Sequence, residues 1–384
     1  MIPAGTLSVR PGSIASPPAA SDRDVLRALF WLGLFFLAAA AIAYGATAQD
    51  GIAIPRDGAG LVVGRDFLNV WMYGRAAALP DPGHWYDIAS YQNALTALLG
   101  SGYPGQSWAA PPSLMLIAAP FGQMPYLAAL ACWTLIGFVC FAGTLHRAGF
   151  DTTSLVALLA SPAAAFCVIS GQSALITAAM LIVILTQLDR RPLLVGILIG
   201  CLTLKPQLVV LFPVMLAASG RWRVFAIAAV TALAIAGITA ALFGTQVWID
   251  FIERGLPTQW VVLQTADHVA APFYPSLYVN LRGFGLAAPA ALTIQAMAGL
   301  AAAMLVWRVF RGHRDADPRI LAALFLAASA TAVPALASSD TLTVTVAALA
   351  LLRGGLLDNT GRLLTQLLYW QPLLQMGLGQ IHVP

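Results

Sequence analysis

The sequence predicts an all-α polytopic membrane protein. Of 384 residues, 59% are apolar and 9% charged, whereas an ordinary soluble domain carries roughly 25% charge. Apolar runs long enough to cross a bilayer, which takes about 20 residues each, recur along the chain. Soluble and disordered classes are excluded by that balance. The charge is also uneven in kind, with 19 Arg, one Lys, 15 Asp and one Glu. The net charge of +4 comes from scattered arginines and not from a basic block, so no nucleic-acid partner is expected. Cys132, Cys140, Cys167 and Cys201 all lie in apolar runs, without the spacing that metal or redox chemistry needs.

Residues 1–25 are expected to be a disordered cytoplasmic tail, because Met1 to Ser21 is rich in Pro, Ala, Gly and Ser and has no apolar period. Residues 26–384 read as a single transmembrane domain. Leu26 to Ala48 is its first span. An Ala46-Thr47-Ala48 sequence fits a cleavage site, but the stretch far exceeds a signal-peptide core of about 7–15 residues. An outer segment of residues 49–112 follows. There a helix begins at Asp66, with Phe67, Val70, Trp71 and Ala78 on one face and Asp66, Asn69 and Tyr73 on the other flank. A second amphipathic stretch, Ile88 to Leu99, comes after the turn at Pro82-Gly83 and is expected to lie on the outer membrane surface. Ser113 to Phe121 is too short to span and reads as half-inserted.

The remaining apolar segments are Tyr126 to Leu145, Thr153 to Ile169, Ala174 to Leu188, Leu193 to Ala218, Val224 to Phe243, Pro289 to Phe310, Ile320 to Ala337, Leu342 to Leu352 and Leu363 to Leu378. The last is interrupted by Pro372. A second outer segment covers residues 244–288. In total the sequence predicts roughly 10–12 transmembrane or half-spanning helices, at about 1.5 Å per residue. Arginine placement orients them, since cytoplasmic loops carry the excess of basic residues. With the N-terminus inside, fourteen arginines fall inside and five outside, namely Arg56, Arg65, Arg75, Arg254 and Arg282.

That arrangement leaves Leu193 to Ala218 with arginines at both ends. Two full crossings do not fit into so short a run, so the segment is expected to be a hairpin of two short helices that breaks at Lys205-Pro206. The residue before a proline is biased away from helix, and a non-helical break at membrane depth survives only where it is buried or faces water. The single lysine therefore marks a cavity.

Several short runs, taken together, resemble glycosyltransferase family 87. They are Asp66-Phe67-Leu68-Asn69-Val70-Trp71-Met72-Tyr73, Trp85-Tyr86-Asp87, Trp108 to Pro112 with Pro120 and Met124-Pro125, Ser170-Gly171-Gln172-Ser173, Leu204-Lys205-Pro206-Gln207, and Ser276-Leu277-Tyr278 with Arg282. Each is weak alone, but their order and spacing agree from Leu26 onward. The resemblance implies a bundle of the GT-C type in a bacterial inner membrane. It also implies a polyprenyl-phosphate-linked sugar as donor and a lipid or glycan acceptor on the periplasmic side, with membrane lipids as surroundings. Mannosyltransferases of phosphatidylinositol mannoside synthesis are the best-known relatives, which makes mannose the favoured hexose. In the family the acidic residue that opens the first outer loop is the catalytic base, and Asp66 matches it. Two departures stand against carrying over the relatives' sugar and acceptor. The tyrosine usual before Pro-Pro is Ala110 here, and a His-rich stretch is replaced by Ser338-Ser339-Asp340.

The chemistry supports the same roles independently. Inverting transfer needs one carboxylate to take the acceptor's proton. A phosphate leaving group needs its charge held, and Lys205 suits that. Asp66 also has the signature of a plain helix N-cap. Lys205 has the alternatives of snorkelling or structural pairing, although no carboxylate lies near it in sequence. Gln172 and Gln207 are expected to contact sugar hydroxyls or to glue helices together. Arg282 is a second phosphate ligand or an interfacial anchor. Asn69, Tyr73, Asp87, His268 and Asp340 complete the substrate-binding candidates, His268 having a pKa suited to proton transfer. Trp71, Trp85 and Trp108 fit an interfacial belt or sugar stacking. Neither a cofactor nor a metal is expected, since Asp66 and Asp87 stand too far apart along the chain to form a site. A flippase or transporter of a lipid-linked sugar is the competing function, and paired broken helices in internal repeats would favour it. A non-catalytic scaffold is the other, and it leaves the intramembrane lysine without a purpose.

Overall fold

A computed structural model describes residues 20–47, 54–58, 60–108, 110–265, 271–313 and 316–380. They form a helical bundle. The β pairing among the described residues is a single bridge between Arg56 and Val62. Helix α1 (Ala20–Thr47) is the first long apolar helix. It begins before the expected boundary at Leu26, because Asp22 in its first turn suits a helix start and is held at 2.6 Å by Arg362.

The stretch between the first two long helices, expected as the first outer segment and a half-inserted piece after it, contributes α2 (Phe67–Ala76), α3 (Ile88–Leu99) and α4 (Leu114–Gly122). The stretch expected to be half-inserted is α4, and it packs on α2 with Gly74 and Gly122 at the crossing. A Cβ on either glycine would run into the backbone of the other helix, the close approach that small residues permit. An aromatic core fills the rest of the segment. Tyr73 stacks on Trp108 with ring centroids 3.6 Å apart, and Trp85 and Tyr91 close around Trp108 at 5.4 and 4.9 Å. Trp71 donates to the Met124 carbonyl at 3.0 Å. The three tryptophans are therefore packing residues of this segment.

Helix α5 (Tyr126–Arg147) is the second long apolar helix. The stretch Thr153 to Ile169, expected as one span, is two helices, α6 (Thr152–Leu159) and α7 (Pro162–Ser170), bent by 48°. The cause is local: Pro162 takes the first helical position and the Ser161 hydroxyl caps the Ala164 N–H, so a new helix starts there. Next come α8 (Ala174–Gln187), α9 (Pro192–Cys201), α10 (Phe212–Ala218) and α11 (Trp222–Phe243). The second outer segment holds α12 (Gln246–Asp250), α13 (Leu256–Thr265) and α14 (Leu277–Gly283). The chain ends with α15 (Ala288–Gly312), α16 (Pro318–Ala332), α17 (Leu342–Arg353) and α18 (Asn359–Gln380).

Four helices, α1, α5, α11 and α15, are long and apolar enough to cross a membrane alone, and the α6–α7 pair makes up to five. Helix α16 and the hairpin helices α9 and α10 are shorter than the sequence runs implied. The long helices expose large apolar side chains, among them Phe35 at 75%, Val139 at 63% and Leu233 at 72%. Contiguous apolar exposure of this kind fits a lipid environment.

The region between α9 and α10 matches the expected hairpin. Two 3₁₀ turns, Leu202–Leu204 and Pro206–Leu208, flank Lys205, whose backbone is non-helical at φ −129°, ψ 73°. The two ends of the hairpin return to one place, because Arg221 at the head of α11 grips Asp189 just past α8 at 2.7 Å. Arg353 pairs with Asp151 at 3.1 Å and Arg362 with Asp22 at 2.6 Å. The start of α1, the α5–α6 turn, the end of α17 and the start of α18 therefore gather at one arginine-bearing end. Gln172 precedes α8 and Asp340 precedes α17, so both stand at the other ends of helices that finish among these arginines.

Candidate active site

Asp66 is positioned by a junction between the first outer segment and α7. Its backbone N–H donates to the Ser170 carbonyl at 2.8 Å. Immediately after Ser170 the chain turns at Gly171, which ends α7 in the left-handed conformation at φ +66°. The Gln172 N–H returns to the Cys167 carbonyl at 2.9 Å, and the Trp133 indole donates to the Gly171 carbonyl at 3.1 Å. This brings the Gln172 side chain to Asp66, donating from Nε2 to Oδ2 at 2.6 Å. Asp66 occupies the N-cap position of α2, yet its carboxylate makes no capping bond. The plain-cap alternative does not describe its side chain. Among the described residues its Oδ1 has no hydrogen-bond donor.

Lys205, at the hairpin tip, is not isolated. Its Nζ meets Asp340 Oδ1 at 2.5 Å, with the lysine side chain 16% and the aspartate 1% exposed. No carboxylate lies near Lys205 in sequence, yet the fold supplies Asp340 as its partner. Their 135-residue separation hides the pair from any local reading. Asp340 sits in the turn Ser338–Thr341, which is stapled to the second outer segment by Ser338 donating to the Phe273 carbonyl at 2.9 Å. The other oxygen, Asp340 Oδ2, is buried without a partner. It borders a cavity of about 20 Å³ lined by Gln207, Ser329, Thr343 and apolar side chains, room for roughly one water.

These groups act on each other's charge. The Asp66 carboxyl is pushed above the usual carboxylate range, chiefly because protein encloses it. Water still reaches it, so it lies in a recess open on one side. The Gln172 hydrogen bond, Lys205 and Arg65 oppose the rise, and Asp340 adds to it. Tyr274 lies within their electrostatic reach, its phenol raised by desolvation and then by Asp66 and Asp340. The site therefore joins Asp66, Gln172, Lys205, Asp340, Tyr274 and Arg65 from five separate parts of the chain. Arg65 also holds Asp57 at 2.9 Å. Arg65 and Tyr274 escaped the sequence reading. Arg65 had one signal, its adjacency to Asp66, whereas nothing local marks Tyr274.

Other candidates lie elsewhere or are already engaged. Tyr73 is buried and donates to the Ala110 carbonyl at 2.7 Å, as does Tyr86, so it belongs to the packed scaffold. Ala110 thus contributes through its backbone. Asn69 donates to the Ser107 carbonyl at 3.1 Å and accepts from the Tyr91 hydroxyl at 2.5 Å, which uses both ends of its amide. Asp87 caps α3 by accepting from the Ser90 N–H and hydroxyl at 3.1 and 2.6 Å, and these bonds hold its carboxyl below the ordinary range. Arg282 closes the end of α14 on the Leu286 and Gln264 carbonyls. Each of these substrate-binding candidates has hydrogen-bond partners within the fold. His268 lies outside the described residues. Among those residues, no three His, Cys, Asp or Glu side chains gather as a metal site would require.

A multi-pass helical bundle with a carboxylate and an ammonium within electrostatic reach of each other has the parts that group transfer from an anionic carrier demands. The model of glycosyltransferase family 87 matches residues 108–339, more than half of the chain. The protein belongs to that family and is a glycosyltransferase. No curated protein and no solved structure matches it. The match includes Gln172, Lys205, Gln207 and Arg282. It starts at Trp108, so Asp66 lies upstream of it and Asp340 just beyond its end.

Proposed function

We propose that the protein transfers a hexose, with mannose the first to test, from a polyprenyl-phosphate carrier to a lipid or glycan acceptor, with inversion. The observation that carries the reading is the proximity of three charged side chains. Asp66, open to solvent on one side and fastened by Gln172 on the other, lies within electrostatic reach of the Lys205–Asp340 pair. Asp66 takes the proton of the acceptor hydroxyl, and that oxygen attacks the anomeric carbon. The bond from this carbon to the carrier phosphate breaks on the opposite face, and Lys205 holds the departing phosphate. A base works best with a pKa raised toward the operating pH, and enclosure moves Asp66 in that direction. The phosphate leaves without an acid because it is already a stable anion. Placing the arginine-bearing end in the cytoplasm of a bacterial inner membrane sets the recess on the periplasmic side.

The test uses purified protein in lipid vesicles, radiolabelled polyprenyl-phosphate mannose and a crude lipid extract. Wild type should label a new lipid. Asp66→Asn should lower turnover by roughly 10²–10⁴-fold, the usual weight of a general base, and Lys205→Ala should weaken use of the donor. Donor crossing the bilayer intact, with nothing transferred, would replace this reading with a flippase.

A further inference from the structure

The Lys205–Asp340 pair is under-bonded for a structural ion pair. A buried pair normally satisfies its remaining lone pairs and protons with further hydrogen bonds. Here Lys205 makes a single contact through Nζ among the described residues, and Asp340 Oδ2 is buried without a partner. The lysine is the more exposed of the two, at 16% against 1%, so its ammonium is the member that a ligand can reach. The recess is also short of positive charge. Asp66 and Asp340 contribute two carboxylates and Lys205 one ammonium, while Arg65 is occupied by Asp57. Tyr274 and Cys167 also feel the Asp340 charge, and neither supplies a cation.

We propose that Asp340 is the resting counter-ion of Lys205, displaced by the carrier phosphate during the reaction and returning to expel that phosphate afterwards. The proposal rests on the donor-phosphate role given to Lys205 above. The sugar-linked donor is a phosphodiester with one negative charge. Once the bond to the anomeric carbon breaks, the carrier phosphate is a monoester that carries roughly 1.5–2 negative charges near neutral pH. An ammonium with no competitor would hold that product more tightly than the substrate and stall turnover. A carboxylate already seated on a neighbouring helix start gives the lysine somewhere to return. Asp340 is thus a positioning residue whose effect falls on binding and release.

Binding of polyprenyl phosphate and of its mannosyl form to the full chain in nanodiscs tests this, together with pre-steady-state transfer. Asp340→Asn should tighten donor binding several-fold and product binding by roughly tenfold or more, the weight of one close charge contact. Its kcat should fall and a product burst should appear, because release becomes limiting. In a Lys205→Ala background the same exchange should alter neither affinity. Asp340→Ser, which also removes the charge and fits the adjoining cavity, must act in the same direction. Weaker donor binding or unchanged product affinity in these variants, with Lys205→Ala still losing the phosphate, overturns the counter-ion role and leaves the transferase reading standing. A wild type that binds no carrier phosphate overturns both.

Discussion

Gly171→Ala tests whether the junction between α7 and α2 sets the position of Asp66. Gly171 has φ +66°, and a Cβ there would stand 2.5 Å from the Phe67 Cβ and 2.9 Å from the Gly64 carbonyl. Ordinary carbon contacts lie at about 3.5–4.0 Å, so Phe67 must retreat by roughly 1 Å. Asp66 precedes it directly, and its N–H is anchored to the Ser170 carbonyl at 2.8 Å. The retreat therefore moves the carboxylate against both Ser170 and Gln172. The left-handed conformation costs an alanine about 1–2 kcal/mol, and the overpacking costs roughly 1–3 kcal/mol more. Such a penalty leaves a folded protein with a lower melting temperature. A misplacement near 1 Å at a catalytic group costs on the order of 10²-fold in rate. Transfer assays in vesicles should show kcat down by about that factor. The donor KM should change less, because Lys205 sits at the hairpin tip between α9 and α10. Unaltered kcat in the folded variant would refute either the positioning or the base.

Three further outcomes are expected. Gln172→Leu removes the hydrogen bond that favours ionised Asp66, so the proton is held to higher pH. The acid limb of the kcat/KM profile should move upward, with the loss greatest at low pH, and an unmoved limb would detach Gln172 from the base. Arg362→Ala leaves Asp22 buried without its partner, a loss of about 3–5 kcal/mol. Thermal unfolding in detergent should show it, and adding Asp22→Asn should recover part. Trp108→Ala empties the centre of the aromatic cluster and should destabilise the outer segment by about 3–5 kcal/mol, read as faster proteolysis between α2 and α4.

The parts of the fold that were legible in the sequence are those set by local chemistry. The hairpin could be read because arginines flank both its ends and a proline follows the only lysine. Helix α3 appears with its expected ends because Asp87 caps it and Gly100 stops it. The bend at Ser161-Pro162 was also written locally, as a capping serine before a proline at the first helical position, although an unbroken apolar run masks it. The same periodicity did not show the partners of Tyr73 and Asn69. A polar-edged helix flank looks alike whether it lines a cavity or closes a core, and only the stack on Trp108 and the contacts with Ser107 and Tyr91 decide it. The Lys205–Asp340 contact was illegible in principle. Its partners meet because α17 starts beside the hairpin tip, a fact of packing without any sequence pattern.

The recess divides its chemistry between two bodies of the fold. Asp66 belongs to the outer segment and is tied down by the end of α7, whereas Lys205 and Asp340 come from the hairpin tip and the head of α17. Under the proposed reaction the first body handles the acceptor hydroxyl and the second handles the carrier phosphate. The family match, covering residues 108–339, takes in Lys205 and Gln172 but not the helix that Asp66 opens. Gln172 is then the link between the halves, since its backbone ends α7 while its amide fixes the base. A change in how α7 packs would reach Asp66 through that amide, and would reach Asp340 through the Ser338–Thr341 turn packed on α7. Substitutions at the Ser170–Gln172 end of α7 should therefore alter kcat and its pH dependence first, whereas substitutions along α17, or on the face of α7 that meets the Ser338–Thr341 turn, should disturb Asp340 and alter donor affinity first.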